Sequence, residues 1–178
     1  ISDCGLMPVK GTPLMEAVRE SPPPPVAFST IFRPFWTAFQ AFASALAASF
    51  GVLSLLHIGW ALGWRRGHVQ VLPERDGAPL FRPGPLSTLA VAAVLFLAAL
   101  IVTQRAGLGR ELLPAALVEW GCWGVSVALV LRAVGEFRYV GFFKRVRDTA
   151  FARMDTLLYS PLALLLGAGA GYVAFAAS

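Results

Sequence analysis

Long, unbroken apolar runs follow one another along most of the chain. Three of them, 86–104, 113–134 and 157–176, are close to the roughly 20 residues that a helix needs to cross a bilayer. A fourth run, 35–62, is longer and rich in alanine, which indicates a tilted helix or an interfacial first turn. Unbroken runs disfavour transmembrane strands, which alternate. The pattern predicts an all-α fold, an integral membrane four-helix bundle.

The first 34 residues differ in composition from the rest. They hold seven of the 13 prolines, including the tetraproline 22–25. Consecutive prolines favour an extended polyproline segment without internal hydrogen bonds. We therefore divide the chain into a Pro-rich N-terminal extension, 1–34, and a transmembrane domain, 35–178.

Composition and charge support a membrane class. The chain is 57% hydrophobic and only 14% charged, with a mean hydropathy of +0.67, whereas an ordinary soluble domain is about one quarter charged. Ten of the 15 Lys and Arg residues fall on the side of the membrane that carries loops 64–85 and 135–156. The positive-inside rule places those loops in the cytoplasm and both termini outside it. We expect a multi-pass protein of the bacterial cytoplasmic (inner) membrane, whose basic loops face lipid headgroups rather than nucleic acid.

Three stretches carry a family resemblance. RAVGEFRYVGFFKRVRDTAFARMDTLLYSPLALLLG at 132–167, HIGWALG at 57–63 and FRPGPLSTLAVA at 81–92 resemble the DUF3995 family of small four-helix bacterial membrane proteins. The resemblance covers about residues 45–178 and leaves the extension outside. It implies a four-helix membrane fold and brings no known activity. Gly59 and Trp64 depart from the family pattern, where an aromatic residue and a glycine are expected.

Several polar and aromatic residues gather near one membrane face in this topology: His57, Trp60, Arg82, Arg132, Glu136, Arg138, Asp155 and Tyr159. One interpretation is a polar clamp, in which acidic residues neutralise arginines and His57 bonds a neighbouring helix end. A second is a pocket for an anionic headgroup or a small acidic ligand, with arginines as bidentate donors. A third is proton transfer through His57 with Glu136 or Asp155. Arg132 and Glu136, at i and i+4, are expected on one helix face.

The chain lacks the patterns of common catalytic and metal sites. We find no nucleophile–base–orienter set and no zinc spacing, so we expect no catalytic residue, no metal and no cofactor. Haem or pigment ligation by His57 stays a minor alternative. Cys4 and Cys122 are expected to be free thiols, because a disulfide would require the extension to enter the membrane.

Two helix features each allow two interpretations. Glu119 lies about a turn and a half inside the third helix, either as an interfacial residue favoured by the helix dipole or as a functional carboxylate facing the bundle. Gly167 and Gly171 match GxxxG, either for packing within the bundle or for a dimer seam.

Five phenylalanines follow helical spacing at the start of the domain. A helix would place them on one stripe, for an aromatic belt or for docking another subunit: Phe28, Phe32, Phe35, Phe39 and Phe42. We expect an accessory or structural subunit of a larger membrane complex, which binds through the extension and this stripe. The alternatives are a protein that binds anionic lipid or a small acidic ligand, and a small enzyme or transporter. Expected partners are membrane lipids and other membrane subunits.

Overall fold

The structure is a computed structural model that describes residues 27–64, 74–75, 78–79 and 84–177. The described residues are mostly helical. In chain order the helices and the π-helical turn are α1 (Ala27–Ala61), α2 (Pro85–Arg105), α3 (Ala115–Val134), α4 (Ala150–Met154), the π turn (Asp155–Tyr159) and α5 (Ser160–Ala176). Between α1 and α2, strand β1 (Glu74–Arg75) pairs antiparallel with β2 (Ala78–Pro79). The π turn continues directly from α4 into α5, so these three elements form one uninterrupted helical segment.

Four helical segments are long and apolar enough to cross a membrane: Arg33–Ala61, Pro85–Arg105, Ala115–Val134 and Ala150–Ala176. The predicted all-α, four-span fold is therefore confirmed. The second and third spans begin and end within two residues of their predicted limits.

The fourth span begins at Ala150, seven residues before the predicted start. Its first turn is capped by Thr149, whose side chain accepts a hydrogen bond from the backbone N–H of Ala152 at 3.0 Å. The charged Arg153 and Asp155 interrupt the apolar pattern in these turns, which is why hydrophobicity alone placed the start too late. α1 also begins earlier than predicted and continues through Pro34.

The chain divides into two compact units, residues 1–36 and 37–178, and within the first the structure describes residues 27–36. The core of the second unit combines small and large apolar side chains from α1, α2, α3 and α5: Phe39, Ala43, Leu46, Phe50, Ala98, Ile101, Val102, Cys122, Leu166, Val173 and Ala174. The residues from α1 recur at steps of three and four, so one face of this helix points inward. Its Ser54 donates a buried hydrogen bond to the Ala92 carbonyl of α2 at 2.8 Å.

α3 and α5 pack closely through small residues. A Cβ added at Gly167 would lie 3.1 Å from the Leu129 Cβ, and one at Gly171 would lie 2.8 Å from the Ser126 Oγ. The Cys122 thiol, fully buried, donates to the Ala170 carbonyl at 3.3 Å. The GxxxG pair therefore serves packing within the bundle, the first of its two interpretations.

The bundle end that carries the loop from α2 to α3 is held by Gln104 and Arg105. The Gln104 Oε1 accepts hydrogen bonds from the backbone N–H groups of Leu112 and Leu113, each at 2.9 Å. The Arg105 guanidinium donates to the Ala174 carbonyl at the end of α5 at 3.0 Å. These bonds satisfy backbone groups that a helix end or a loop leaves open.

Candidate functional site at the 135–149 loop

Two glycines fold the loop after α3 back onto the end of that helix. Gly135 and Gly141 have φ values of 88° and 90°, which favour glycine. A Cβ at Gly135 would clash with the Val140 carbonyl, and a Cβ at Gly141 with the Val134 carbonyl. The two backbone segments are thus in direct contact, which only glycine at both positions permits.

Asp155, the first residue of the π turn, is the centre of the site. Its side chain is 0% exposed, and its carboxylate accepts four hydrogen bonds. Oδ1 accepts from the Arg132 Nη2 at 2.9 Å, while Oδ2 accepts from the Lys144 Nζ at 3.0 Å, the Gly141 N–H at 2.8 Å and the Ser160 Oγ at 3.1 Å. Burying a carboxylate is costly unless it is paired and bonded in this way. We call these five residues the Asp155 cluster.

Lys144 is the loop residue whose ammonium bonds to Asp155. Its side chain is 2% exposed, and its ammonium also donates to the Gly141 carbonyl at 3.0 Å and to the Thr156 Oγ1 at 2.6 Å. Together with the bond to Asp155, these use all three N–H donors of a lysine. Arg132 is less enclosed, with its side chain 38% exposed. The Asp155 cluster therefore ties α3, the loop and the fourth span together.

The structure places Glu136 differently from the sequence expectation. α3 ends at Val134, so Glu136 lies beyond the helix, and the prediction that it shares a helix face with Arg132 is wrong. The Glu136 carboxylate instead accepts a hydrogen bond from the Tyr139 N–H at 3.2 Å. The Arg138 guanidinium carbon lies 5.2 Å from the centroid of the Tyr139 ring, a cation–π contact.

Tyr159 and the α1 residues contribute aromatic contacts. The ring centroids of Tyr159 and Phe151 lie 6.2 Å apart. The His57 Nδ1 is 2.7 Å from the Leu53 carbonyl of its own helix, whereas the polar-clamp interpretation expected a bond to a neighbouring helix end. The His57 ring also meets Trp60 edge-on, with centroids 4.9 Å apart. Arg82 lies outside the described residues.

Gly59 and Trp64, singled out in the sequence by the family resemblance, are in contact with each other. A Cβ added at Gly59 would lie 2.8 Å from the Cε3 atom of Trp64. The Trp64 indole thus packs on the space that Gly59 leaves open.

Of the predicted site residues, the structure joins Arg132 and Asp155 in an ion pair and adds Lys144, which sequence reasoning had counted only as part of a basic run. Gly135 and Gly141 mark turn positions in the sequence, but no sequence signal distinguishes Lys144 from the adjacent Arg145. Within the described part of the chain, His, Cys, Asp and Glu form no group of three that could hold a metal.

The predicted phenylalanine stripe divides among different environments. The side chains of Phe28 and Phe32 lie outside the described residues. Phe35 is 64% exposed, whereas Phe39 is buried in the core at 3%. Phe42 packs edge-on against Tyr172, with ring centroids 5.4 Å apart. The stripe is therefore not a uniformly exposed surface.

The outer face of α3 carries a second set of unusual side chains. Glu119 is exposed within this span, beside Trp120 at 73% and Trp123 at 40% exposure. A Cβ added at Gly124 would meet nothing within 4 Å. Glu119 therefore does not face the bundle interior, which was one of its two interpretations. We call Glu119, Trp120, Trp123 and Gly124 the α3 outer face.

Comparison with known proteins identifies one relationship. A family model described as "Protein of unknown function (DUF3995)" matches residues 50–170, more than half of the chain. No curated protein and no solved structure matches the chain.

Proposed function

The chain belongs to the DUF3995 family, whose description assigns no activity, and we propose that it is a non-catalytic accessory subunit of a larger membrane complex. The observation that carries this proposal is the α3 outer face, where a carboxylate and two tryptophans are exposed within a membrane span. The proposed location is the bacterial cytoplasmic membrane, with both termini outside the cytoplasm.

Glu119 supports a partner because its charge lies inside the third span. It follows the first residue of α3 by four positions, which corresponds to about 6 Å along the axis. Ionisable groups within a span usually pair with another polar group, while the dipole at the helix N-terminus also stabilises a carboxylate at this position. Among the described residues no ion pair involves Glu119. A partner helix with a lysine or arginine at the same depth would neutralise it.

The neighbouring residues fit a helix-to-helix contact. Trp120 and Trp123 offer large rigid rings, the residue type that most often dominates interface energy. Gly124 leaves open space beside them, so another helix could approach the α3 backbone closely. A carboxylate, two indoles and an open glycine together favour a partner transmembrane helix over lipid chains alone.

The Pro-rich extension is the second proposed contact. Its residues 1–26 lie outside the described part of the chain, and Phe35 of the first unit is exposed. Phe39, in contrast, is enclosed by the core of the second unit and is not accessible to a partner. We therefore assign partner binding to the extension and Phe35 rather than to the whole stripe.

A catalytic or transport role has less support. Of the ionisable residues expected to form a pocket, Asp155 accepts four hydrogen bonds from within the protein, including one from Arg132, and Glu136 accepts one from the backbone. A carboxylate with all of its bonds made inside the protein has little capacity left to bind a substrate or relay a proton. The hydrogen bonding of the Asp155 carboxylate suits a structural role.

The test is purification from native membranes in mild detergent, followed by mass spectrometry of the copurifying chains. We expect stoichiometric partners, and we expect Trp120→Ala/Trp123→Ala to lose them. Phe96→Ala/Phe175→Ala is the matched control, because it removes two exposed rings from α2 and α5. Glu119→Gln should weaken the association, since it removes the charge while preserving shape.

Two results would contradict the proposal. One is a wild-type protein that purifies alone from native membranes. The other is equal loss of partners in the tryptophan and phenylalanine double variants, which would show general dependence on apolar surface. Deleting residues 1–27 should also weaken association while leaving the four-helix domain folded, as checked by its thermal unfolding.

A further inference from the structure

Two phenylalanines of the 135–149 loop point away from the protein. Phe137 and Phe143 are 57% and 61% exposed, and their ring centroids lie 6.4 Å apart. The loop runs directly from the end of the third span to the start of the fourth. This aromatic pair is therefore placed close to the membrane surface, where aromatic side chains are enriched.

The backbone of Phe137 is strained in a way that its packing does not explain. Its φ is 67°, the one positive value among the described non-glycine residues. Such a conformation costs free energy and persists where the surrounding structure enforces it, often at functional positions. Because the ring is mostly exposed, burial in this protein does not offset that cost.

Basic residues lie close to the aromatic pair in the sequence. Arg138, Arg145, Arg147 and Arg153 are exposed, against the two exposed acidic residues Glu136 and Asp148. The Val146 N–H donates to the Arg138 carbonyl at 3.0 Å, which brings Arg138 beside the sequence neighbours Arg145 and Arg147. The local excess of positive charge is complementary to anionic lipid headgroups.

The Asp155 cluster fixes the position of the loop relative to the fourth span. The Lys144 ammonium, in the middle of the loop, is held 3.0 Å from a carboxylate within that span. The loop therefore cannot extend into water without breaking a buried ion pair. The ion pair therefore keeps the middle of the loop beside the first turns of the fourth span.

We infer that the 135–149 loop is a lipid-contact element for anionic phospholipid. Phe137 and Phe143 enter the boundary between headgroups and acyl chains, and Arg138 and Arg145 bind the lipid phosphate. Aromatic and cationic residues on one surface are the combination that binds anionic membrane interfaces. This inference does not depend on the accessory role, because it uses a different surface from the α3 outer face.

The depth of the loop in the membrane tests whether the two aromatic rings insert. In a Cys4→Ser/Cys122→Ser background, nitroxide labels are attached through Phe143→Cys or Asp148→Cys, and the protein is placed in vesicles of phosphatidylcholine with phosphatidylglycerol. We expect the label at 143 to be relaxed by oxygen and shielded from a water-soluble nickel chelate. The label at 148, from the same loop, should show the reverse. Equal exposure of both labels to the nickel chelate overturns the insertion of the rings.

Lipid selectivity tests whether the arginines bind the lipid phosphate, and this test does not use the spin-labelled variants. Phosphatidylglycerol retained on nanodisc-purified protein is measured by native mass spectrometry. Arg138→Gln/Arg145→Gln should lower its affinity by about fivefold for each arginine. Arg110→Gln, an exposed arginine between α2 and α3, is the control and should leave retention unchanged. Unchanged retention in the double variant, or equal loss in the control, overturns anionic lipid binding by this loop.

Phe137→Gly separates lipid contact from folding. Glycine relieves the positive φ, so thermal stability should stay the same or rise, while phosphatidylglycerol retention should fall. A variant that loses stability and keeps its lipid would show that the ring serves folding, and would contradict the proposal.

Discussion

The Lys144 ammonium lies 3.0 Å from the Asp155 carboxylate, and neither side chain is more than 2% exposed. The two residues are 11 positions apart, one in a loop and one in a membrane span. Without Lys144, the buried Asp155 carboxylate would keep only the partly exposed Arg132 as a cationic partner. Lys144 should therefore matter far more to stability than the other basic residues around it.

Lys144→Met should destabilise the protein by about 3 kcal/mol, the lower end of the cost of breaking a buried ion pair, because Arg132 stays paired with Asp155. Arg145→Met, one residue further along and exposed, should change stability by about 0–1 kcal/mol. Thermal unfolding in detergent compares the two variants directly. Equal shifts would show that Lys144 is solvated in the membrane protein.

Lys144→Met/Asp155→Asn extends this test, because it removes both charges together. We expect the double variant to be more stable than Lys144→Met alone, since it also removes the buried negative charge that Lys144→Met leaves with Arg132 as its one cationic partner. Arg132 keeps one hydrogen-bond acceptor in the amide oxygen of the new asparagine. A strictly additive loss in thermal unfolding would argue against direct coupling of the two side chains.

Gly141→Ala should destabilise the loop strongly, because the new methyl group would clash with the Val134 carbonyl and the φ of 90° disfavours alanine. We expect a loss of at least about 1–3 kcal/mol. Gly124→Ala is the matched control, since its Cβ would meet nothing within 4 Å and alanine favours helix. The pair is compared by thermal unfolding and by monodispersity on gel filtration. Similar behaviour of the two variants would mean that the loop does not contact the end of α3.

Hydrophobic patterning was sufficient to predict the four spans, but it did not predict where every span begins and ends. The apolar runs predicted all four spans because spans must be continuous in lipid. The early start of the fourth span was missed since Arg153 and Asp155 lower its local hydrophobicity. Thr149, a favoured N-cap residue, was the available sign of a helix starting at Ala150.

The candidate site was predictable only in part. Arg132 and Asp155 stood out as charges beside membrane spans, and they form an ion pair. Lys144 and Arg145 are adjacent basic residues, yet one is 2% exposed and the other is exposed. Which of them turns inward depends on the backbone fold-back at Gly135 and Gly141, a tertiary feature that charge patterns do not encode.

Cys122 provides a direct measure of bundle integrity. Its thiol is fully buried between α3 and α5. In a Cys4→Ser variant, a maleimide dye should not react with the folded protein and should react once heat separates the helices. Gly171→Ile should lower the temperature of that reaction, because a larger side chain would collide with Ser126. Rapid labelling at low temperature would contradict the packing of Cys122 against Ala170.

The orientation is predicted from the uneven distribution of basic residues. In a Cys4→Ser/Cys122→Ser background, a membrane-impermeant maleimide should label Ser178→Cys from outside intact cells and should not label Gly77→Cys. Permeabilised cells serve as the control, where both positions should react. The opposite labelling pattern would reverse the proposed topology.

The ion pair between Arg132 and Asp155 also bears on the order of membrane insertion. Its members are 23 residues apart, on consecutive spans. While the chain is being synthesised, Arg132 and Lys144 enter the membrane region before the carboxylate that pairs with them. We expect the third and fourth spans to become stable as a helical hairpin, and a chain ending at residue 149 to be degraded faster than the full chain in a pulse-chase experiment. The late arrival of Asp155 would then act as the step that locks the second half of the protein in place during biogenesis.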